Sequence, residues 1–185
     1  MNKKGRLVLF SGPSGVGKDT LLDILLEKKP EIRHSVSITT RKKRENEVDG
    51  VDYFFISRDR FENMIDNNGV LEYTQYGVNL YGTPKEPIDN WLNEGETVIL
   101  KIEVHGAENI KKVYPEESVA IFIMPPSIEV LEQRLRNRGT ENEEDLIRRM
   151  EIATSEIEKS VDYDYIIVND NLENAANEVL KILDN

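Results

Sequence analysis

The apolar run Leu7-Val8-Leu9-Phe10 leads, through Ser11, into Gly12-Pro13-Ser14-Gly15-Val16-Gly17-Lys18-Asp19-Thr20. A strand that ends in a glycine-rich turn and then enters a helix admits few folds. The spacing is that of a phosphate loop, G-x-x-x-x-G-K-[ST], except at the last position, where Asp19 stands and Thr20 follows. Glycines let such a loop curl until successive backbone N–H groups point at one anion. A helix beginning near Gly17 adds its positive dipole end, and Lys18 adds a point charge for the outer phosphates. A glycine-rich turn without function would not need two fixed glycines and Gly-Lys in this strand-to-helix context. Residues 12–20 therefore predict a nucleoside triphosphate site.

At 185 residues the chain has the length of one domain and enough material for a sizeable core. Buried-strand runs are expected at Leu7–Phe10, Thr97–Ile102, Val119–Met124 and Tyr165–Val168. They alternate with helical patterns, which predicts βαβ units on a parallel sheet. The first helix carries Leu21, Leu22, Leu25 and Leu26 and stops before Pro30. Ser127 N-caps another, which is expected to bury Ile128, Leu131 and Leu135 and to end at Gly139. Leu146, Met150, Ala153, Ile157 and Val161 form a 3.6-period stripe on a third. A last helix runs from about Leu172 to Leu183.

Residues 33–83 read differently, as a small mixed α/β insert. Short strands at Ser35–Thr39, Tyr53–Ile56, Val70–Gln75 and Leu80–Gly82 surround one helix near Arg58–Asp66. The polar stretch 137–143 joins two helices and reads as the tip of a mobile lid.

The charge balance, 24 basic against 35 acidic residues for a net −11, disfavours nucleic acid as a partner. The chain has no cysteine, so a reducing, cytoplasmic compartment is expected. Four apolar residues after the early lysines are too few for a signal peptide, and no stretch approaches a membrane span.

Against this acidic background the clustered basic residues stand out. Arg41 and Arg44 flank Lys42 and Lys43, and arginine forks bind phosphate bidentately. Tyr53 and Tyr81 offer hydroxyls to the same anion. A solvated basic loop explains Arg41–Arg44 equally well on the sequence alone. Glu72 lies in a strand-like segment. It either faces water or accepts two bonds from the paired N1–H and N2–H donors of a guanine edge, which adenine lacks. Arg134 and Arg138 share a helix face at i, i+4, and Arg149 follows on the next helix. A hairpin brings all three onto a triphosphate; otherwise they are helix-surface arginines, as Arg136 and Arg148 are read to be.

Taken together, these segments resemble the guanylate kinase family from about Arg6 to Leu183. The resemblance rests on Ser11–Lys18, Ser35–Arg41, Gly50-Val51-Asp52-Tyr53, Leu80-Tyr81-Gly82-Thr83, Arg134–Thr140 and Ile167-Val168-Asn169-Asp170. It implies a three-layer phosphate-loop core on a parallel sheet (1–32, 84–126 and 163–185), a GMP-binding insert (33–83) and a helical lid (127–162). The implied reaction is Mg²⁺-dependent phosphoryl transfer from ATP to GMP.

The family pattern also implies roles, position by position. Ser37, Glu72 and Thr83 correspond to guanine contacts. Arg41, Arg44, Tyr53 and Tyr81 correspond to ligands of the GMP phosphate, with Glu103 near the same site. Lys18, Arg134, Arg138 and Arg149, with Arg41, surround the transferred group, and Asn169 falls near adenine.

Two positions depart from the pattern. Asp19 replaces a small or hydroxylated residue, and Lys101 replaces a carboxylate. In phosphate-loop proteins these two positions face each other beside Mg²⁺. Asp19 and Thr20 are thus the Mg²⁺ candidates, and Asp19 and Lys101 are expected to form an exchanged charge pair. His105, where the family often has Gln, reads as packing or a polar cap. Two other readings stay open: a non-catalytic binding module of the same fold, and a kinase of another small phosphorylated acceptor.

Overall fold

A computed structural model describes residues 5–137 and 143–184. In chain order its elements are β1 (Arg6–Ser11), α1 (Lys18–Lys28), β2 (Arg33–His34), β3 (Ile38–Thr39), β4 (Phe54–Phe55), α2 (Arg58–Asp66), β5 (Val70–Tyr76) and β6 (Asn79–Pro84). There follow α3 (Lys85–Asn93), β7 (Thr97–Lys101), α4 (Val104–Val113), β8 (Ser118–Met124), α5 (Ile128–Asn137), α6 (Glu143–Glu158), a 3₁₀ turn (Lys159–Asp162), β9 (Tyr165–Val168) and α7 (Leu172–Asp184). The α/β architecture is the one expected, with a five-stranded parallel sheet in the order β2-β7-β1-β8-β9 and a four-stranded sheet in the order β4-β3-β6-β5.

The chain forms two compact units: Met1–Leu7 with Ile32–Leu100 and Glu108–Ser118, and Val8–Glu31 with Lys101–Ala107 and Val119–Asn185. In the second unit, Val8, Leu9, Phe10, Ile121, Phe122 and Ile123 have no exposed surface. Continuous apolar strands of this kind belong to a sheet covered on both faces. Leu21, Leu22 and Leu25 bury one face of α1, while the opposite face stays polar. Ser127 caps α5 as expected, its Oγ accepting the Val130 N–H at 3.3 Å.

Three expectations need correction. Ile128 is 38% and Val161 78% exposed, so neither joins the core. Val161 is lost because α6 ends at Glu158 and the chain tightens into the 3₁₀ turn, which breaks the 3.6-residue stripe. In β9 only Ile167 is buried, and Tyr165, Ile166 and Val168 are 45–50% exposed. The strand lies at the edge of its sheet, where burial is one-sided.

The first unit contains the small antiparallel-rich sheet of the insert. Ile38, Phe61 and Leu80 form its core, flanked by Ile56, Met64, Ile65 and Val70. Burying a phenylalanine such as Phe61 contributes about 1.5–3 kcal/mol. Gly82 on β6 makes this possible: a Cβ there would lie 2.9 Å from the Phe61 ring and 2.9 Å from the Glu72 carbonyl oxygen. Any side chain at that position would push β5 and its Glu72 outward. The expected insert strands at Ser35–Thr39 and Tyr53–Ile56 shorten to two residues each, Ile38–Thr39 and Phe54–Phe55.

Candidate active site

The loop between β1 and α1 takes the strained geometry that its glycines permit. Gly12, Gly15 and Gly17 all have positive φ, at 147°, 84° and 99°. A Cβ on Gly12 would meet the Ile123 carbonyl oxygen at 2.4 Å, so backbone blocks any other residue there. Lys18, the first residue of α1, folds back over this loop. Its Nζ donates to the Gly12 carbonyl and, at 3.0 Å, to that of Pro13. Burial pushes the Lys18 pKa down to about 8; Glu156, Asp19 and Glu103 oppose that shift and Lys101 adds to it.

Arg134 and Asn169 hold the loop from the other side. The Val16 carbonyl accepts from Asn169 Nδ2 at 2.7 Å and from Arg134 Nη1 at 3.3 Å. Arg134 Nη2 also donates to the Asn169 carbonyl at 3.1 Å. Asn169 is 2% exposed, so its amide belongs to the loop support. Gly17 must be glycine partly for this reason, since a Cβ would sit 2.7 Å from Asn169 Nδ2. Gly15, Val16, Gly17, Thr20, Arg134, Asn169 and the segment Asp170–Glu173 line a pocket of about 530 Å³. Its size suits a nucleotide base.

Asp19 and Lys101 meet: Lys101 Nζ donates to Asp19 Oδ1 at 2.5 Å. Glu103 is exposed and His105 is exposed on the first turn of α4, so His105 does not pack into the core. Arg149 is half-buried on α6. Arg138 lies outside the described residues.

Glu156, also on α6, was not anticipated from the sequence. Burial raises its pKa to about 7, with Glu103 adding to the rise and Lys18 and Lys159 opposing it. It sits three residues after buried Ala153, an i, i+3 relation to the apolar stripe that marks it as inward-facing.

Among the described residues, no three His, Cys, Asp or Glu side chains group as a metal cage. Mg²⁺ in phosphoryl-transfer sites is held mainly by phosphate oxygens and water with one or two protein ligands. The carboxylate of Asp19 and the exposed hydroxyl-bearing Thr20 fit that sparse donor set.

In the other unit, the end of β3 sets the position of Arg41. Thr39 Oγ1 donates to the Leu80 carbonyl at 2.9 Å and accepts the Arg41 N–H at 3.2 Å. The Arg41 guanidinium lies 5.6 Å from the ring centres of both Tyr53 and Phe55. Tyr81 hydrogen-bonds to it, and the Tyr53 and Tyr81 rings meet edge to face at 5.9 Å. Arg44 is exposed close by in sequence. The structure thus brings Arg41, Tyr53 and Tyr81 together, as the sequence suggested.

Unforeseen in this group is Glu47. Arg41 Nη2 and Nη1 donate to its two oxygens at 2.6 and 2.9 Å, and the Arg44 N–H adds a third bond at 2.8 Å. These bonds hold the Glu47 pKa down to about 2 and raise that of Arg41. Further along the insert sheet, Glu72 and Thr83 are register partners on β5 and β6. Thr83 Oγ1 donates to Glu72 Oε1 at 2.7 Å, and Thr83 is 2% exposed. Ser37 is half-buried and its carbonyl accepts the Phe54 N–H at 2.9 Å.

A glycine loop at the end of a parallel strand, with a lysine bent over it and an arginine bracing it, defines a phosphate-loop nucleotide-binding protein. The guanylate kinase family model matches residues 4–185. Similar proteins include the guanylate kinases of Carboxydothermus hydrogenoformans (49% identical, 97% of this chain and 88% of the relative) and Clostridioides difficile (49%, 98% and 88%). The crystal structure of guanylate kinase from Anaplasma phagocytophilum superposes with a TM-score of 0.80 at 34% identity, covering 99% of this chain and 87% of that one. A shikimate kinase from Bacteroides thetaiotaomicron shares the fold alone, at TM-score 0.51 and 17% identity. The chain belongs to the guanylate kinase family.

Proposed function

We propose that this protein is an ATP:GMP phosphotransferase, which makes ADP and GDP. The observation that carries the acceptor assignment is the Glu72–Thr83 pair. Thr83 holds one carboxylate oxygen by a 2.7 Å hydrogen bond, which fixes the direction of the group. A carboxylate so held matches the paired N1–H and N2–H donors of guanine and leaves an adenine edge unsatisfied. Ser37 completes the base site. Arg41, Arg44, Tyr53 and Tyr81 take the GMP phosphate, with Glu103 toward the same substrate. The phosphate loop, residues 12–20, takes ATP, and Asn169 with Arg134 braces the loop beside the adenine pocket.

A phosphate oxygen of GMP, already ionised at neutral pH, attacks the γ-phosphorus. The bond from that phosphorus to the β,γ-bridging oxygen breaks, and ADP leaves with the electron pair. No general base is needed. What the protein supplies is alignment of two polyanions and cancellation of their repulsion. Lys18 releases the Gly12 and Pro13 carbonyls and donates to phosphate instead. Arg134, Arg138 and Arg149 add charge around the transferred group. Mg²⁺ carried on the phosphates would be held by Asp19 and Thr20, and would neutralise phosphate charge there.

The insert 33–83 binds the acceptor, residues 127–162 act as a lid, and the rest forms the core. Lid closure excludes water and so prevents wasteful hydrolysis of ATP. A cytoplasmic location suits a cysteine-free chain, and among the described residues no helix is long and apolar enough to cross a membrane. ADP release measured with GMP, dGMP, AMP and UMP tests the whole reading. Turnover with GMP well above AMP and UMP is expected, and no turnover with any acceptor returns the chain to the binding-module reading.

A further inference from the structure

Glu47 is placed where an anionic substrate group is expected, beside Arg41, yet it is built into the loop rather than resting on it. Its Oε2 accepts from both Arg41 Nη1 and the Arg44 N–H, at 2.9 and 2.8 Å. Its own N–H donates to the Arg44 carbonyl at 3.2 Å, and its carbonyl accepts from Lys43 Nζ at 2.8 Å. The following residues are equally constrained. The Val48 N–H donates to Asp52 Oδ2 at 2.7 Å, and the Gly50 N–H donates to the Tyr53 carbonyl at 2.8 Å. Arg41 and Glu47 side chains are only 15% and 16% exposed. A carboxylate with this many ties is not a mobile occupant that an incoming phosphate displaces.

The geometry of the guanidinium matters here. Its five N–H groups form two edges, each able to grip an oxyanion with two parallel bonds. Glu47 takes the Nη1–Nη2 edge, and the second Nη1 hydrogen goes to the Lys42 carbonyl at 2.9 Å. The Nε–Nη2 edge is the one that Glu47 and Lys42 do not take; Tyr81 also hydrogen-bonds the guanidinium, so a second anion at that edge would be met by the Tyr81 hydroxyl as well. The rings of Tyr53 and Phe55 beside the guanidinium restrict its rotation.

We propose that Glu47 is a positioning residue for the acceptor phosphate: it clamps Arg41 by one edge so that the other edge is presented to the phosphate of GMP. The proposal rests on the assignment of Arg41 to that phosphate. Glu47 touches no substrate itself. It lowers the ordering cost of the arginine by meeting it before the substrate arrives. A bidentate clamp also keeps the net charge of the site modest until a dianion enters. The opposite arrangement, in which the carboxylate competes with the phosphate, predicts tighter GMP binding once the charge is removed.

The test is a double-mutant cycle read by calorimetric dissociation constants for GMP, using the full chain and the variants Glu47→Gln, Arg41→Ala and the two combined. Glu47→Gln is expected to weaken GMP about tenfold when Arg41 is present and less than about twofold when Arg41 is absent. The KM for ATP should stay within about twofold of the parent, a split that general loosening of the fold would not produce. Glu47→Asp, which keeps the charge on a shorter arm, should fall between parent and Gln variant; it takes the place of Gln in the cycle if thermal unfolding shows that Gln disrupts the fold. Equal losses with and without Arg41 would mean a merely structural role and overturn the proposal. Tighter GMP binding by Glu47→Gln would overturn it in favour of competition. If Arg41→Ala itself leaves GMP affinity unchanged, the phosphate assignment of Arg41 fails, and the proposal with it.

Discussion

Lys101 at the end of β7 and Asp19 in the first turn of α1, 82 residues apart, form an ion pair at 2.5 Å beside the phosphate loop. The side chains are 41% and 70% exposed, so the pair contributes little to stability, below about 1 kcal/mol. Its consequence is electrostatic. Asp19 alone would repel phosphate, and Lys101 alone would repel a divalent cation. Asp19→Ser and Lys101→Asp should each impair turnover, and the double variant should recover part of the loss. A coupling of on the order of 1 kcal/mol in kcat/KM is expected from steady-state kinetics. Strictly additive losses would show that the two charges act independently.

Glu72→Ala should reduce kcat/KM for GMP by at least about tenfold, roughly 1.4 kcal/mol. Thr83→Val, which removes only the hydrogen bond to Glu72 Oε1, should cost less, about threefold. AMP should be a poor acceptor for the parent. Competition between GMP and AMP in one reaction measures this directly, and equal use of both contradicts the guanine assignment.

Arg134 and Arg138 should separate kinetically. Arg134 already bonds the Val16 and Asn169 carbonyls before any nucleotide arrives. Arg134→Ala should therefore raise the KM for ATP as well as lower kcat, and Arg134→Lys should restore little, because an ammonium lacks the planar fork that spans two carbonyls. Arg138→Ala should lower kcat about tenfold or more with a smaller change in KM, the pattern of a contact made in the transition state. Parent-like kcat for Arg138→Ala makes it a helix-surface residue.

Stability should depend on pH through Glu156. Its pKa rises from the ordinary 4.5 to about 7 on folding, chiefly by burial. Between these values the folded protein holds a proton that the unfolded chain has lost. Stability from this group is therefore present in full below about pH 4.5 and is lost as pH rises toward 7. Lys18 shifts from 10.5 to about 8, so its own window lies above pH 8. Glu156→Gln should flatten the decline between pH 4.5 and 7, by on the order of 1–2 kcal/mol after allowance for partial solvent access. Urea unfolding midpoints of parent and variant across that range check it. Parallel curves would place Glu156 in solvent.

Local chemistry alone dictated much of this protein. Three glycines at positions 12, 15 and 17 take left-handed conformations because the loop between β1 and α1 requires them, and that requirement is written in neighbouring residues. Helix α2 runs over Arg58–Asp66, as its pattern predicts, because Ser57 caps it and Phe61 anchors its apolar face. The Arg41–Arg44 cluster and Glu72 stand out as charges in a loop and a strand, each with a solvent-facing alternative, and Thr83 is named only by the family resemblance.

What only tertiary structure decided is which charges meet. Nothing in helical or strand periodicity links Arg41 to Glu47, since loop residues six apart share no repeating face. Glu156 stands i, i+3 from Ala153, but a stripe traced through apolar residues alone passes over a carboxylate on the same face. Val161 and Val168 read as core residues, but chain tightening and an edge position expose them. Apolar patterning records which residues prefer to leave water; it does not record which elements remain to cover them, or which opposite charge the fold sets within reach.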